Sequence, residues 1–510
     1  MVNTTVMPTK ECRNLLSATQ QPHAVKELIL SEVQKGFLAG PFSSPPFSTY
    51  RVSPIGIAEG KYTKKKRLIV DLSSPHNSKN HCSVNDLINK EQCTLSYVTI
   101  DDAIREIMKQ GQGARMCKTD ISDAFKIIPI MPSQYHLFCI KWEEDYYFYR
   151  TLSFGCRSSP KIFDALSSAI CWIAQNKYGV RFILHLLDDF LTIDSPTYDA
   201  ERTMAILSFL FNKIKVPLAA HKTEGPCTVL QYLGIILDSD KFEARLPVDK
   251  VERVSSLIDN FKDRKSCTKR ELLQLLGHLN FAMRVIPPGR SFVSYLISLA
   301  ASVPELHHHV HINAGCQEDL AMWALFLQRW NGVSLFRESQ LTVAADIELY
   351  TDAASTKGFG GFYKGLWFSE AWPAGLPADD DVAVSMSFRE LYPIVVAAIL
   401  WGSRWHRKRI LFHCDNLGTV HIIKKGRSKS KSVMMLMRKL TWCALINQFS
   451  VYAEHIPGKL IPIADALSRL QIDTFRRLAP AAALEPCPCP AMQEVLWNYT
   501  QMRSSSSSTR

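Results

Sequence analysis

The run "HLLDDFLTID" at residues 185–194 sets two adjacent aspartates inside an otherwise apolar stretch. Like charges repel, and burying a carboxylate costs several kcal/mol unless a cation or hydrogen-bond donors compensate. Phe182–Leu187 and Phe190–Ile193 read as short strands, so Asp188 and Asp189 fall near the bend of a hairpin. Two readings of that bend are open. Asp tolerates the backbone angles of a tight turn, so the pair can be a connector. Alternatively, it is part of a divalent-cation site. A second acidic segment stands upstream, "KTDISDAFKIIPI" at 118–130, where Asp120 follows a strand-like start and Asp123 and Phe125 follow on a short turn. One carboxylate from it, joined to the 188/189 pair, makes a three-acid cluster of the kind two Mg²⁺ ions need. Two ions about 3.5–4 Å apart activate an attacking oxygen and stabilise a leaving one.

The remainder of the chain bounds the setting. At 510 residues it is too long for one core, and roughly three or four domains are expected. A hydrophobic fraction of 46% with 21% charged residues is that of an ordinary soluble globular protein. Sixty Lys and Arg against 48 Asp and Glu leave a formal charge of +12, compatible with a polyanion partner. The N-terminal "MVNTTVMPTKECRN" has no apolar secretory core, and the longest apolar run, "YPIVVAAILWG" at 392–402, falls short of the ~20 residues of a membrane helix. The expectation is an intracellular protein of cytoplasm or nucleus, neither secreted nor in a membrane. The 14 cysteines show no C-x-x-C spacing, so reduced thiols are expected. "CPCP" at 487–490 reads as a floppy tail and "HHHVH" at 307–311 as a solvated segment.

Along the chain, residues 1–22 read as a flexible tail, and a Pro/Ser-rich stretch at 40–56 runs into the basic "KYTKKKRLIVDLS". Strands and helices alternate from about 116 to 240. Residues 248–300 read as mostly helical, with Leu at helical spacing in "KRELLQLLGHLNFAMRV", and "QEDLAMWALFLQRW" reads as another helix. A new α/β pattern opens near 345 with "DIELYTDAASTKGFGGFYKGLWFS", two strand-like runs around a Gly-rich turn, and closes with the helix "IADALSRLQIDTFRRL". The last stretch, 475–510, reads as disordered.

"KTDISDAF", "LSFGCRSSPKIF", "LHLLDDFL", "HKTEGP" and "YLGIILDS" stand in the order of the palm motifs of reverse transcriptases, and "RLIVDLSSPHNSKNHCSVNDLI" resembles the fingers segment before them. The wording is closest to DIRS-type retrotransposons, whose elements also encode a tyrosine recombinase, and the resemblance spans roughly residues 25–475. It implies a multidomain α+β fold: a right-hand polymerase of fingers (23–115), palm (116–244) and helical thumb and connection (245–340), then an α/β ribonuclease H-like domain (341–474). By that resemblance the 188/189 pair is a metal-binding hairpin. Asp120 and Asp188 are the principal metal ligands with Asp189 in support, and Asp123 has no metal role. Phe125 is the ring beneath the sugar that excludes a 2′-OH, Lys65 and Arg67 hold the triphosphate, Gly155 lets the backbone approach nucleotide and template, and Lys222 serves the leaving pyrophosphate. One departure is Leu186, where many retroviral-type enzymes have an aromatic residue; it bears on fidelity and primer grip.

The C-terminal unit carries Asp352 in "YTDAAS", Glu390 in "SFRELYP", Asp415 in "FHCDNLGT" and Asp465 in "PIADALSR". This order resembles the ribonuclease H fold, where such a quartet binds two Mg²⁺ and water attacks the RNA phosphate. Asn416–Ala453 has no acid but seven basic residues, Lys424, Lys425, Arg427, Lys429, Lys431, Arg438 and Lys439, and "KKGRSKSKS" resembles a basic loop gripping a hybrid backbone. His455 looks placed on a strand and is given no catalytic role. The resemblance implies RNA- and DNA-directed DNA synthesis plus hydrolysis of the RNA strand of a hybrid. Two Mg²⁺ serve each site, with Mn²⁺ as a substitute. The partners are RNA template, DNA primer, RNA·DNA hybrid, dNTPs and a separately encoded tyrosine recombinase. The rivals are a domesticated relic that binds nucleic acid without turnover and a nuclease-only protein.

Overall fold

The computed structural model describes residues 8–60, 64–76, 78, 81–330, 334–335, 345–377, 384–406 and 408–498. They divide into two compact units, Met1–Phe242 and Glu243–Arg510.

The first unit opens with a five-stranded sheet in the order Lys10–Glu11, Arg51–Val52, Cys139–Trp142, Asp145–Tyr149, Leu38–Phe42. Residues 8–22 are therefore not a loose tail over their described length. Lys10–Glu11 pairs in parallel with Arg51–Val52, and Ala18 in the short helix Leu16–Thr19 is buried. Neither element has a periodicity to read, because each is held by its tertiary neighbours. A separate hairpin, Ile55–Glu59 with Lys66–Val70, sets Ala58 opposite Arg67.

The centre of this unit is built from α1 (Ile100–Gln110), β1 (Arg115–Asp120), α2 (Ser159–Tyr178), β2 (Ile183–Leu186), β3 (Asp189–Asp194), α3 (Ala200–Lys213) and β4 (Glu224–Cys227). The antiparallel sheet runs β4-β1-β3-β2. Helices cover it, and β3 is buried from Phe190 to Asp194, which is why its apolar run lacks alternation. Phe190 meets Phe211 of α3 edge to face at 5.3 Å.

The second unit begins with α4 (Val248–Lys262), α5 (Lys269–Ala282) and α6 (Ala314–Trp330). Thr268 opens α5 as a capping box with Glu271. His309–His311 is a short strand paired with Ser266–Thr268, both its histidines exposed. The α/β part contains β5 (Ile347–Ala353), β6 (Gly358–Tyr363), β7 (Leu366–Ala371), α7 (Met386–Trp401), β8 (Arg409–Cys414), α8 (Leu417–Lys425), α9 (Lys431–Ile446), β9 (Ser450–His455) and α10 (Pro462–Ser468). Its sheet runs β7-β6-β5-β8-β9, antiparallel across β7, β6 and β5 and parallel across β5, β8 and β9.

The Gly-rich segment is thus the strand β6 rather than a turn. A Cβ on Gly360 would overlap Leu467 of α10, and one on Gly361 would overlap the Phe368 ring, so the glycines serve close packing. The apolar run at 392–402 lies in α7, buried between the sheet and α9; among the described residues no helix is long and apolar enough to cross a membrane. The single closing helix expected from "IADALSRLQIDTFRRL" is two, α10 and Ile472–Leu478, divided where Leu470 takes φ 61°. The chain also stays packed over 475–498, while the rest of the stretch expected to be disordered, 499–510, lies outside the described residues. Phe475 and Val495 are fully buried, and Trp497 lies edge to face on Phe292.

Candidate active sites

The first cluster follows from strand register. Asp120 ends β1 directly opposite Asp189, which starts β3, and Ile121 N–H donates to Asp188 O at 3.1 Å. Leu186 pairs with Asp189 across the hairpin, so Leu187 and Asp188 are its two turn residues. Leu187 sits at φ 53°, where a non-glycine residue costs about 1–3 kcal/mol. Ser167 of α2 holds the turn by donating to Leu187 O at 2.8 Å. The bend is a turn and a carboxylate site at once.

Asp120 is 4% exposed, and Lys222 Nζ donates to both its oxygens at 2.9 Å. Burial, with a hydrogen bond and repulsion from Asp120, pushes the Asp189 carboxyl up to about 6. Burial raises Asp188 too, with Asp120 adding to it. One lysine does not balance three crowded carboxylates. Asp123, by contrast, is exposed at φ 52° and pairs with Lys35 at 3.0 Å.

Phe125 is held in the helical turn Ala124–Ile127, its ring 4.9 Å from Phe154 and 5.4 Å from Phe163. Gly155 takes φ 93°, and a Cβ there would come within 2.5 Å of Val70 O, at the end of the basic hairpin. Lys65 and Arg67 are exposed on that hairpin, and among the described residues no ion pair or hydrogen bond ties Arg67 to the carboxylates. Asn85, unnoticed in the sequence, fixes the Gly155 loop by donating to Gly155 O at 2.9 Å and accepting from Arg157 N at 2.8 Å. Its amide faces both ways, which nothing in "SVNDLI" reveals.

The second cluster gathers four elements. Asp352 of β5 is 6% exposed and accepts from Ser468 Oγ of α10; Glu390 of α7 is 2% exposed; Asp415 follows β8; Asp465 lies on α10, paired with Arg469 at 2.7 Å. Burial, then Asp352 and Asp415, push Glu390 up to about 9. Asp352 is raised by burial, with Asp415 and Asp465 adding to the shift. Asn416 fixes the strand end by accepting Thr419 N–H at 2.9 Å and capping α8.

Among the described residues, only Glu390, Cys414 and Asp415 bring three ligand atoms within 4.8 Å of one another. In the sequence only its place beside Asp415 marks Cys414. Burial holds its thiol far above the ordinary range, so it stays neutral and hydrogen-bonds Glu390 at 3.8 Å. His455 contacts Asp415 through the backbone carbonyl, at 3.1 Å.

Lys424, Lys425 and Arg427 are exposed around the end of α8. Arg438 is not part of that charged surface. It is 2% exposed and ion-paired with Asp319 and Glu318.

Residues 44–237 match the family model described as "Reverse transcriptase (RNA-dependent DNA polymerase)". No curated protein matches the chain. Among solved structures, the foamy viral protease-reverse transcriptase is similar in three states. The dRH form with double-stranded DNA gives a TM-score of 0.52 at 13% identity, over 89% of this chain and 72% of that one. The complex with RNA/DNA hybrid gives 0.51 at 14%, over 89% and 56%. The complex with dsDNA gives 0.50 at 14%, over 89% and 86%. Residues 44–237 thus match the reverse transcriptase family, in a chain whose α+β fold is similar to that of the foamy viral protease-reverse transcriptase.

Proposed function

We propose that the chain is the reverse transcriptase and ribonuclease H of a DIRS-type retrotransposon. It extends a DNA primer on RNA or DNA and hydrolyses the RNA strand of the resulting hybrid. It works inside the cell, with a tyrosine recombinase as a partner. The proposed division is fingers over 23–115, palm over 116–244, thumb and connection over 245–340 and ribonuclease H over 341–474.

The carrying observation is the register that sets the buried Asp120 against the half-buried Asp189 with half-buried Asp188 on the adjoining turn, a carboxylate cluster to which, among the described residues, Lys222 brings its ammonium. Such a cluster destabilises a fold unless further positive charge arrives. Oxygen donors of this kind suit Mg²⁺ or Mn²⁺. Asp120 and Asp188 would hold the ions in the polymerase site with Asp189 in support, and Asp352, Glu390, Asp415 and Asp465 would hold those of the nuclease. When bound, two ions activate the attacking oxygen and neutralise charge on the phosphate.

The chain's own residues bind and orient. In extension, the primer 3′-oxygen forms a bond to the α-phosphorus of a dNTP while the bond to pyrophosphate breaks. Lys222 Nζ, already beside Asp120, supplies positive charge for that leaving group. Lys65 and Arg67 hold the triphosphate, and Gly155, where a Cβ would meet Val70 O, lets the backbone approach the nucleotide and template. In hydrolysis, water adds to the RNA phosphorus and the 3′-oxygen leaves. Lys424, Lys425 and Arg427 grip the hybrid backbone.

Purified protein given an RNA template, a DNA primer, dNTPs and Mg²⁺ is expected to extend the primer. Well-folded protein that yields no product sinks the polymerase reading. Phe125→Val should raise ribonucleotide incorporation relative to deoxyribonucleotide by at least about tenfold, by removing ring volume beneath the sugar. Single-nucleotide incorporation rates for matched NTP and dNTP pairs measure this.

A further inference from the structure

Five basic side chains, Lys424, Lys425, Arg427, Lys429 and Lys431, are exposed around the turn from α8 into α9. Among the described residues no acidic side chain pairs with any of them. Long lysines on a short turn would ordinarily wander. This turn is fastened at its root. Gly426 ends α8 at φ 68°, and its carbonyl accepts from Ser291 Oγ at 2.7 Å. Ser430 then caps α9 by accepting Val433 N–H at 3.1 Å.

Ser291 is 1% exposed, in the helical turn Pro287–Phe292, far from the loop in sequence. Its hydroxyl lies 3.1 Å from Thr441 Oγ1 of α9, and its carbonyl accepts from Arg438 Nε at 3.1 Å. Arg438 is fixed in turn by Asp319, which is fully buried and also accepts Tyr295 N–H at 3.0 Å. The guanidinium lies 4.5 Å from the Tyr295 ring and 5.1 Å from that of Phe292. A buried Arg–Asp pair adds little net stability over apolar packing, and its best-attested use is to impose one arrangement. Here the imposed arrangement joins 287–319 to the two helices that carry the basic turn.

We propose that Ser291, braced by Arg438 and Asp319, is the positioning residue of the 424–431 loop and sets its basic side chains against the phosphate backbone of an RNA·DNA hybrid. This rests on the reading of the second site as a ribonuclease H with that loop as its grip. Phosphates along a duplex are regularly spaced, so charges held at fixed positions meet more of them at once. A loosened loop keeps its charge and loses simultaneous contacts.

The test uses the full chain and its Ser291→Ala variant. Binding of a fluorescent RNA·DNA hybrid is followed without divalent ions across a NaCl series, and cleavage is followed with Mg²⁺. Ser291→Ala should weaken binding and raise KM about 3–10-fold, the weight of one hydrogen bond, with kcat nearly unchanged. The slope of log K against log salt should shrink by about 1–2, the loss of one or two phosphate contacts. Lys429→Ala should reduce the slope in the natural chain and hardly further in Ser291→Ala. An unchanged slope, fully additive effects, or a fall in kcat at constant KM overturns the proposal. If Ser291→Ala does not fold, Ser291→Cys, which keeps the side chain's shape and weakens its bond to Gly426 O, is held to the same outcomes. A natural chain that binds hybrid without cutting it overturns the nuclease reading and leaves the positioning test in force; one that does not bind hybrid overturns both.

Discussion

Asp188→Asn is expected to abolish primer extension while leaving the fold at least as stable as before. Burial already disfavours the charge on Asp188, and Asp120 adds repulsion. An amide of the same shape removes that cost, so thermal melting without divalent ions should not fall. Extension should drop at least about 10³-fold, because a charge-stabilising group at the reacting phosphate is lost. Hybrid cleavage, proposed to rest on Asp352, Glu390, Asp415 and Asp465 in the other unit, should be spared. Asp415→Asn should do the reverse, stopping cleavage and sparing extension. Both activities measured on one preparation of each variant decide the matter. Extension that survives Asp188→Asn, or both activities failing together in either variant, would overturn the assignment of two independent sites.

Glu390→Gln should abolish hybrid cleavage and stabilise the metal-free protein at alkaline pH. Burial, with Asp352 and Asp415, raises the folded pKa of Glu390 to about 9, against about 4.3 in an unfolded chain. The sign follows from linkage. A carboxyl whose folded pKa is raised stabilises the fold relative to its ionised form below the unfolded pKa, and that advantage is lost as pH rises toward the folded value. The natural chain should therefore lose stability between about pH 5 and 9. The glutamine, which mimics the protonated acid, should not share that loss. The difference should reach about 2 kcal/mol at pH 8, a fraction of the full shift because buried sites relax. Mg²⁺ should raise the melting temperature of the natural chain, with release of protons, and do less for the variant. Urea unfolding at several pH values with EDTA or Mg²⁺ measures this. A stability difference independent of pH would show that Glu390 is not the protonated, metal-displaceable group inferred here.

The cost of a carboxylate in an apolar run singled out the 188/189 pair in the sequence, whereas the roles proposed for Asp120, Asp352, Glu390, Asp415 and Asp465 came from the resemblance of their motifs to reverse transcriptase and ribonuclease H. Apolar periodicity likewise placed the helices within 248–300 and at "QEDLAMWALFLQRW", and the apolar run at Phe190–Ile193 marked the strand β3. Side-chain partnership is what the sequence does not contain. Arg438 stands in a basic run with Lys424 and Lys429, yet it is buried against Asp319 while they face solvent. Glycines that read as a turn form β6, because α10 packs too closely for a Cβ. Lys10–Glu11 and Met492–Val495 are too short to carry a local signal and are stable only through what they pack on. The sequence by itself determined which acidic and basic side chains the chain carries and in what order. The tertiary structure decided which charges meet and which stay in water, since burial and hydrogen bonding are set by residues a hundred or more positions away.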